Sequence, residues 1–101
     1  MLLYNITTKV DHAISDQWLQ WQKEIHIPEI MATGLFYEHR MYRLLGHDDP
    51  EGKTYITQFF TSSEKNYEEY LLHFAPGLRE KALVKWGDQI VAFRTLLENV
   101  E

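Results

Sequence analysis

The chain has 101 residues, enough for one domain with a single modest core. It has no Cys, which removes disulfides, thiolate chemistry, Fe–S clusters and Cys-type zinc sites. Its net charge is −5 with scattered Lys and Arg, which disfavours nucleic acid, because counterion release needs a clustered basic face.

From the N-terminus, Leu2, Tyr4, Ile6, Thr8 and Val10 alternate with Leu3, Asn5, Thr7 and Lys9. This period of two predicts a strand over Leu2–Val10 with one apolar face. The segment is short and lacks a basic leader, so it reads as a strand and not a signal peptide. Ser15 is placed to cap a helix over Ser15–Thr33, with Asp16 at its positive end. Ile14, Trp18, Trp21 and Ile25 recur at helical spacing and mark the expected buried stripe, which Ile30 and Met31 continue. Pro28 lacks an amide hydrogen and crowds the preceding turn, so a kink or restart is expected near Ile27. Gly34 suits the left-handed position that ends a helix.

Leu35–Leu45 is the second expected strand. His47–Gly52 is a polar hairpin connection rich in turn formers. Thr54–Thr61, dense in β-branched and aromatic residues, is the third strand. Ser62 or Ser63 caps a second helix over Ser63–Trp86. Tyr67, Leu71, Phe74, Leu78, Ala82 and Trp86 form its stripe, and Pro76-Gly77 divides it. Gly87 stops it, and Gln89–Glu98 is the last strand.

Each half thus runs strand, Ser-capped helix with an internal proline, glycine, strand. The order βαββαβ predicts an α+β, ferredoxin-like domain: a four-stranded antiparallel sheet with two helices on one face. The sheet is apolar on both sides. Leu35, Tyr37 and Met41 oppose Phe36, Tyr42 and Leu44, and Val91, Phe93 and Leu97 oppose Ile90, Ala92 and Leu96. A monomer would leave that second face in water, so a homodimer through the sheet face is expected. No segment approaches the roughly 20 apolar residues of a membrane span, and a soluble cytoplasmic protein is expected.

Candidate chemistry centres on histidine. His26 lies beside Pro28, where it could act as acid, base or ligand, with Glu29 to orient it. Alternatively it hydrogen-bonds carbonyls loosened by the proline. Asn5, His26, Tyr70 and His73 form a candidate pocket for a small molecule. His39, Arg40 and Arg94 on sheet strands suggest an anion site or, alternatively, ion pairs with Glu38 and Glu98. Asp48, Asp49 and Glu51 lack the ligand spacing of a calcium loop. The histidines show no His-x-x-x-His or Glu-x-x-His pair, so no metal is expected. No cofactor is implied, and the sequence leaves open whether the protein is an enzyme.

Several segments carry a resemblance: Tyr4-Asn5-Ile6-Thr7, Glu24 through Gly34, Tyr70 through Arg79, and Phe93-Arg94-Thr95. Over essentially the whole chain they resemble a small bacterial family of domains of unknown function, with the plan of the dimeric α/β-barrel superfamily. That resemblance implies two ferredoxin-like chains packed sheet on sheet, and carries no activity. Within the superfamily, haem-degrading monooxygenases place an Asn on the first strand and Trp and His on the second helix. Asn5 and His73 match two of those roles, and no Trp lies where the third requires it. An oxygenase, haem-degrading or cofactor-independent, is therefore the alternative to a binding protein.

Overall fold

Four strands form one antiparallel sheet in the computed structural model, which describes residues 1–46 and 49–101. The strands are β1 (Leu2–Asp11), β2 (Glu38–Arg43), β3 (Gly52–Thr61) and β4 (Ile90–Glu98), in the spatial order β2-β3-β1-β4. The helical layer has two arms. One is α1 (Ser15–Trp21), a π-turn (Gln22–His26) and α2 (Ile27–Met31); the other is α3 (Glu64–His73) and α4 (Ala75–Trp86). Both arms lie on one face of the sheet, as the α+β, ferredoxin-like plan requires.

The helix-facing rows follow from the register. They are His39, Phe59, Tyr4 and Leu96, then Met41, Thr57, Ile6 and Arg94, then Arg43, Tyr55, Thr8 and Ala92. The core over them falls into two clusters. Tyr4, Ile27, Ile30, Phe36, Phe59, Tyr70, Ala75 and Leu78 fill one end. Val10, Trp18, Trp21, Tyr55 and Trp86 fill the other. Rings meet at offset and tilted angles, such as Tyr4 on Phe36 with centroids 6.1 Å apart and Trp18 on Tyr55 at 5.2 Å. Arg79 donates to the Tyr4 hydroxyl at 3.1 Å, which satisfies that buried phenol.

Local chemistry corrects three expectations. Ser15 does not cap the first helix: a 3₁₀ turn over His12–Ile14 precedes it, capped by Asp11, whose Oδ1 accepts from the Ala13 amide at 2.9 Å. Ser63 does cap the second arm, accepting from the Asn66 amide at 3.1 Å. The second strand begins at Glu38 and not Leu35, because Phe36 turns into the core and only the Tyr37 amide reaches the Phe60 carbonyl. The third correction concerns Pro28. An α-helical segment does begin at Ile27, as expected, but the chain stays helical into it instead of breaking. The helix widens just upstream, so that the Ile27 amide bonds the Gln22 carbonyl five residues back. The second arm breaks at Phe74, two residues before Pro76, as expected. The tip of the expected hairpin, at His47 and Asp48, lies outside the described residues. No helix of the described chain is long and apolar enough to cross a membrane.

Among the described residues no helix covers the outer face of the sheet. Its rows are Glu38, Phe60, Leu3 and Leu97, then Arg40, Gln58, Asn5 and Thr95, then Tyr42, Ile56, Thr7 and Phe93. Two apolar-rich rows thus flank a polar one. Phe93 is 66% exposed, and Val91, Leu97 and Tyr42 are also open to solvent.

Candidate functional site

Between the two core clusters the helix–sheet interface includes a group of polar side chains among apolar ones. Thr8 and Thr57 are buried on the sheet there, at positions where the strand pattern otherwise places apolar residues. Above them the π-turn turns Gln22 and His26 inward. A cavity of about 40 Å³ lies between these groups, walled also by Trp18, Ile30 and Phe59. Its lining includes Ala82 of α4 and, on the edge strand β4, Ala92 and the exposed Arg94. The two alanines present little bulk on that side. The volume admits a few water molecules or one small polar group.

Among the described residues three buried side-chain polar atoms lack a partner, the Nε1 atoms of Trp18 and Trp86 and the Nδ1 of His26, and two of them, on Trp18 and His26, belong to residues that line this cavity. An unpaired buried polar group is costly, so these two call for a water or a ligand. His26 stacks on Trp21 with ring centroids 4.5 Å apart. Its pKa is lowered to about 4, chiefly by burial; Glu29 opposes the shift, and Arg94 and Lys81 add to it. The imidazole is therefore neutral at pH 7. Arg94 lines the cavity on its β4 side, and among the described residues no carboxylate lies within ion-pair distance of it.

The four residues of the expected pocket do not converge. Asn5 is on the outer sheet face, where its amide donates to Thr7 Oγ1 at 3.3 Å and its oxygen accepts from Gln58 at 3.4 Å. His26 reaches the cavity. Tyr70 is packed in the neighbouring cluster against Phe36 and Tyr4, and burial raises its phenol pKa. His73 is on the exposed side of α3, 4.0 Å from Glu69. Asn5 and His73 therefore lie on opposite sides of the sheet, because alternation along β1 sends Asn5 away from the helices. Glu29 pairs with Lys81 at 2.7 Å instead of orienting His26. The alternative role for His26, bonding freed carbonyls, also fails for Nδ1, which has no partner.

His39, Arg40 and Arg94 are likewise divided. Arg40 is on the outer face, paired with Glu38 at 3.1 Å and lying over the Phe60 ring. His39 and Arg94 face the helical layer from β2 and β4, the two opposite edges of the sheet. Asp49 and Glu51 both pair with Lys9, at 3.0 and 3.3 Å. Among the described residues no cluster of three His, Asp or Glu side chains could hold a metal ion.

Sequence reasoning singled out His26 but missed Gln22, Trp18, Thr8 and Thr57 as its neighbours. The available signal was the pair of threonines on otherwise apolar strand faces.

The architecture is that of the ferredoxin-like α+β domains, with a small cavity of mixed lining beneath the helices. The chain belongs to the domain of unknown function DUF4286, which matches residues 1–100. No curated protein matches it. Solved structures share the fold at low identity. A dimeric ferredoxin-like protein from an uncultured marine organism aligns with TM-score 0.73 and 8% identity, over 99% of this chain and 95% of that one. SnoaB, a cofactor-independent oxygenase from Streptomyces nogalater, aligns at 0.69 and 9%, over 99% and 94%. HapK from Hahella chejuensis aligns at 0.70 and 10%, over 99% and 93%.

Proposed function

We propose that this protein is a homodimeric small-molecule-binding domain whose ligand site is the cavity beneath His26. The observation that carries this reading is the pair of partnerless polar atoms, on Trp18 and His26, in the lining of one cavity. A cavity needed only for packing would have no use for Thr8, Gln22, Thr57 and His26 in its otherwise apolar wall. A fragment screen by NMR on wild type and His26→Ala tests it. Hits that perturb Trp18, His26 and Arg94 in the wild type and weaken in the variant support the site. Hits confined to the outer sheet face would leave only an association module.

The dimer is supported by the exposed Phe93, Val91 and Leu97 and by the dimeric description of similar folds. Two such faces related by a twofold axis would cover each other, with the rows of Asn5 and Gln58 supplying hydrogen bonds across the joint. Phe93→Glu would bury an unpaired charge in that joint and should convert a dimer to a monomer in sedimentation. A wild-type monomer at high concentration refutes the dimer, and a dimer through the helices would refute only its geometry. An oxygenase is the second reading, favoured only by the shared fold of SnoaB. A cavity of about 40 Å³ is well below an organic substrate, so binding of a small headgroup fits better.

A further inference from the structure

We infer that the cavity recognises the carboxylate end of a small organic acid, a reading that rests on the cavity being the ligand site. Three observations converge on that chemistry. The first is the supply of donors. The Trp18 indole N–H can only donate, and Trp18 is 1% exposed, so its free N–H cannot turn to solvent. Neutral His26 can carry its proton on Nδ1, the nitrogen without a partner, and donate as well. The second is charge. Arg94 lines the same cavity with no carboxylate to neutralise it among the described residues, and its planar fork suits a carboxylate. Lys81 lies on the neighbouring helix and adds a second positive charge near His26, while Glu29 is bound to it.

The third observation is size and direction. A cavity of about 40 Å³ takes a carboxylate head but not the body of a larger acid. The small side chains of Ala82 and Ala92 would let the remainder of the ligand run outward over the edge strand. That side is apolar apart from Arg94, so the body should be a hydrocarbon and not a sugar. Arg94 is positively charged and the Trp18 indole can only donate, which selects against a cationic headgroup.

The groups facing His26 from every packed element are Gln22 and Trp21 on its own arm, Glu29 on α2, Lys81 on α4, Thr8 and Thr57 on the central strands, and Arg94 on β4. A bound anion would become the closest negative charge to this imidazole. It should therefore raise the His26 pKa, and binding should tighten as pH falls by the same linkage.

Benzoate and benzamide, which share a ring and differ in charge, test the inference by NMR titration of the whole protein. Benzoate should shift the Trp18 indole proton and the His26 ring signals together, and should raise the His26 titration midpoint. Arg94→Gln should weaken benzoate about tenfold, the scale of one charge-assisted hydrogen bond, with little effect on benzamide. Because Arg94 is exposed, that variant should fold normally, and an unchanged amide spectrum away from the cavity checks this. Equal binding of benzoate and benzamide at the cavity would overturn the carboxylate assignment and leave the ligand site standing. Failure of both probes to perturb Trp18 and His26 would overturn both.

Discussion

Acid should loosen this fold through His26 in particular. The imidazole titrates near 6.5 when the chain is unfolded and at about 4 in the fold, chiefly because burial opposes the charged form. Between those values the unfolded chain holds a proton that the folded chain does not. Stability therefore rises with pH across the window, is fully present above about pH 6.5, and is lost as pH falls towards 4. For this one group, moving from pH 7 to pH 5 costs about 2 kcal/mol. That is a large share of the stability of a domain of this length. The assay is urea unfolding of wild type and His26→Gln at both pH values, at equal protein concentration so that any self-association cancels. Carboxylates titrate alike in both proteins, so the difference of the two differences isolates His26. Glutamine keeps a polar side chain at the π-turn but cannot titrate, so the variant should lose about 2 kcal/mol less than wild type on acidification. Equal losses would refute the reasoning, as would an NMR midpoint for His26 at 6.5 or above.

Two further outcomes follow from single contacts. Gly52→Ala should destabilise by about 1–3 kcal/mol in the same unfolding assay, because a Cβ there would overlap the Val10 carbonyl oxygen across the β1–β3 ladder. Lys81→Met should move the His26 titration upward in an NMR pH series, since it removes a like charge and frees Glu29 to favour the imidazolium.

The sheet was legible because its cause is local. Alternation over β1 and the aromatic and β-branched run of β3 set the strands, and the polar stretches between them set the order. The apolar outer face was legible for the same reason, since Val91, Phe93 and Leu97 share a parity. The cavity was not, because it depends on which residues meet across the helix–sheet gap. Asn5 shows the limit in the other direction. Its parity on β1 placed it away from the helices, and only the analogy with haem enzymes had joined it to His73.

The π-turn is where local reading of the sequence failed, and it also creates the site. In an unbroken helix, at about 100° per residue, Ile25 would lie within about 20° of Trp18, and Ile30 about 120° away. One extra residue in the turn exchanges them. Ile25 is 47% exposed and Ile30 is 1% exposed. Pro28 is one cause, because it offers no amide to the carbonyl of Glu24 and its ring crowds that group. Packing is the other: Ile27 and Ile30 enter the cluster around Phe59, each gaining roughly 1.5–3 kcal/mol from burial. The two helix phases make opposite predictions for a matched pair of variants. With the π-turn, Ile25→Ala should change stability by no more than about 0.5 kcal/mol, and Ile30→Ala should cost about 2–5 kcal/mol. An unbroken α-helix reverses that order. It would also rotate His26 relative to Ile30, and the partnerless nitrogen would no longer share the cavity with the Trp18 indole. Urea unfolding of the two variants therefore tests the helix phase and the geometric premise of the binding site in one comparison, and a costly Ile25→Ala beside a mild Ile30→Ala would remove both.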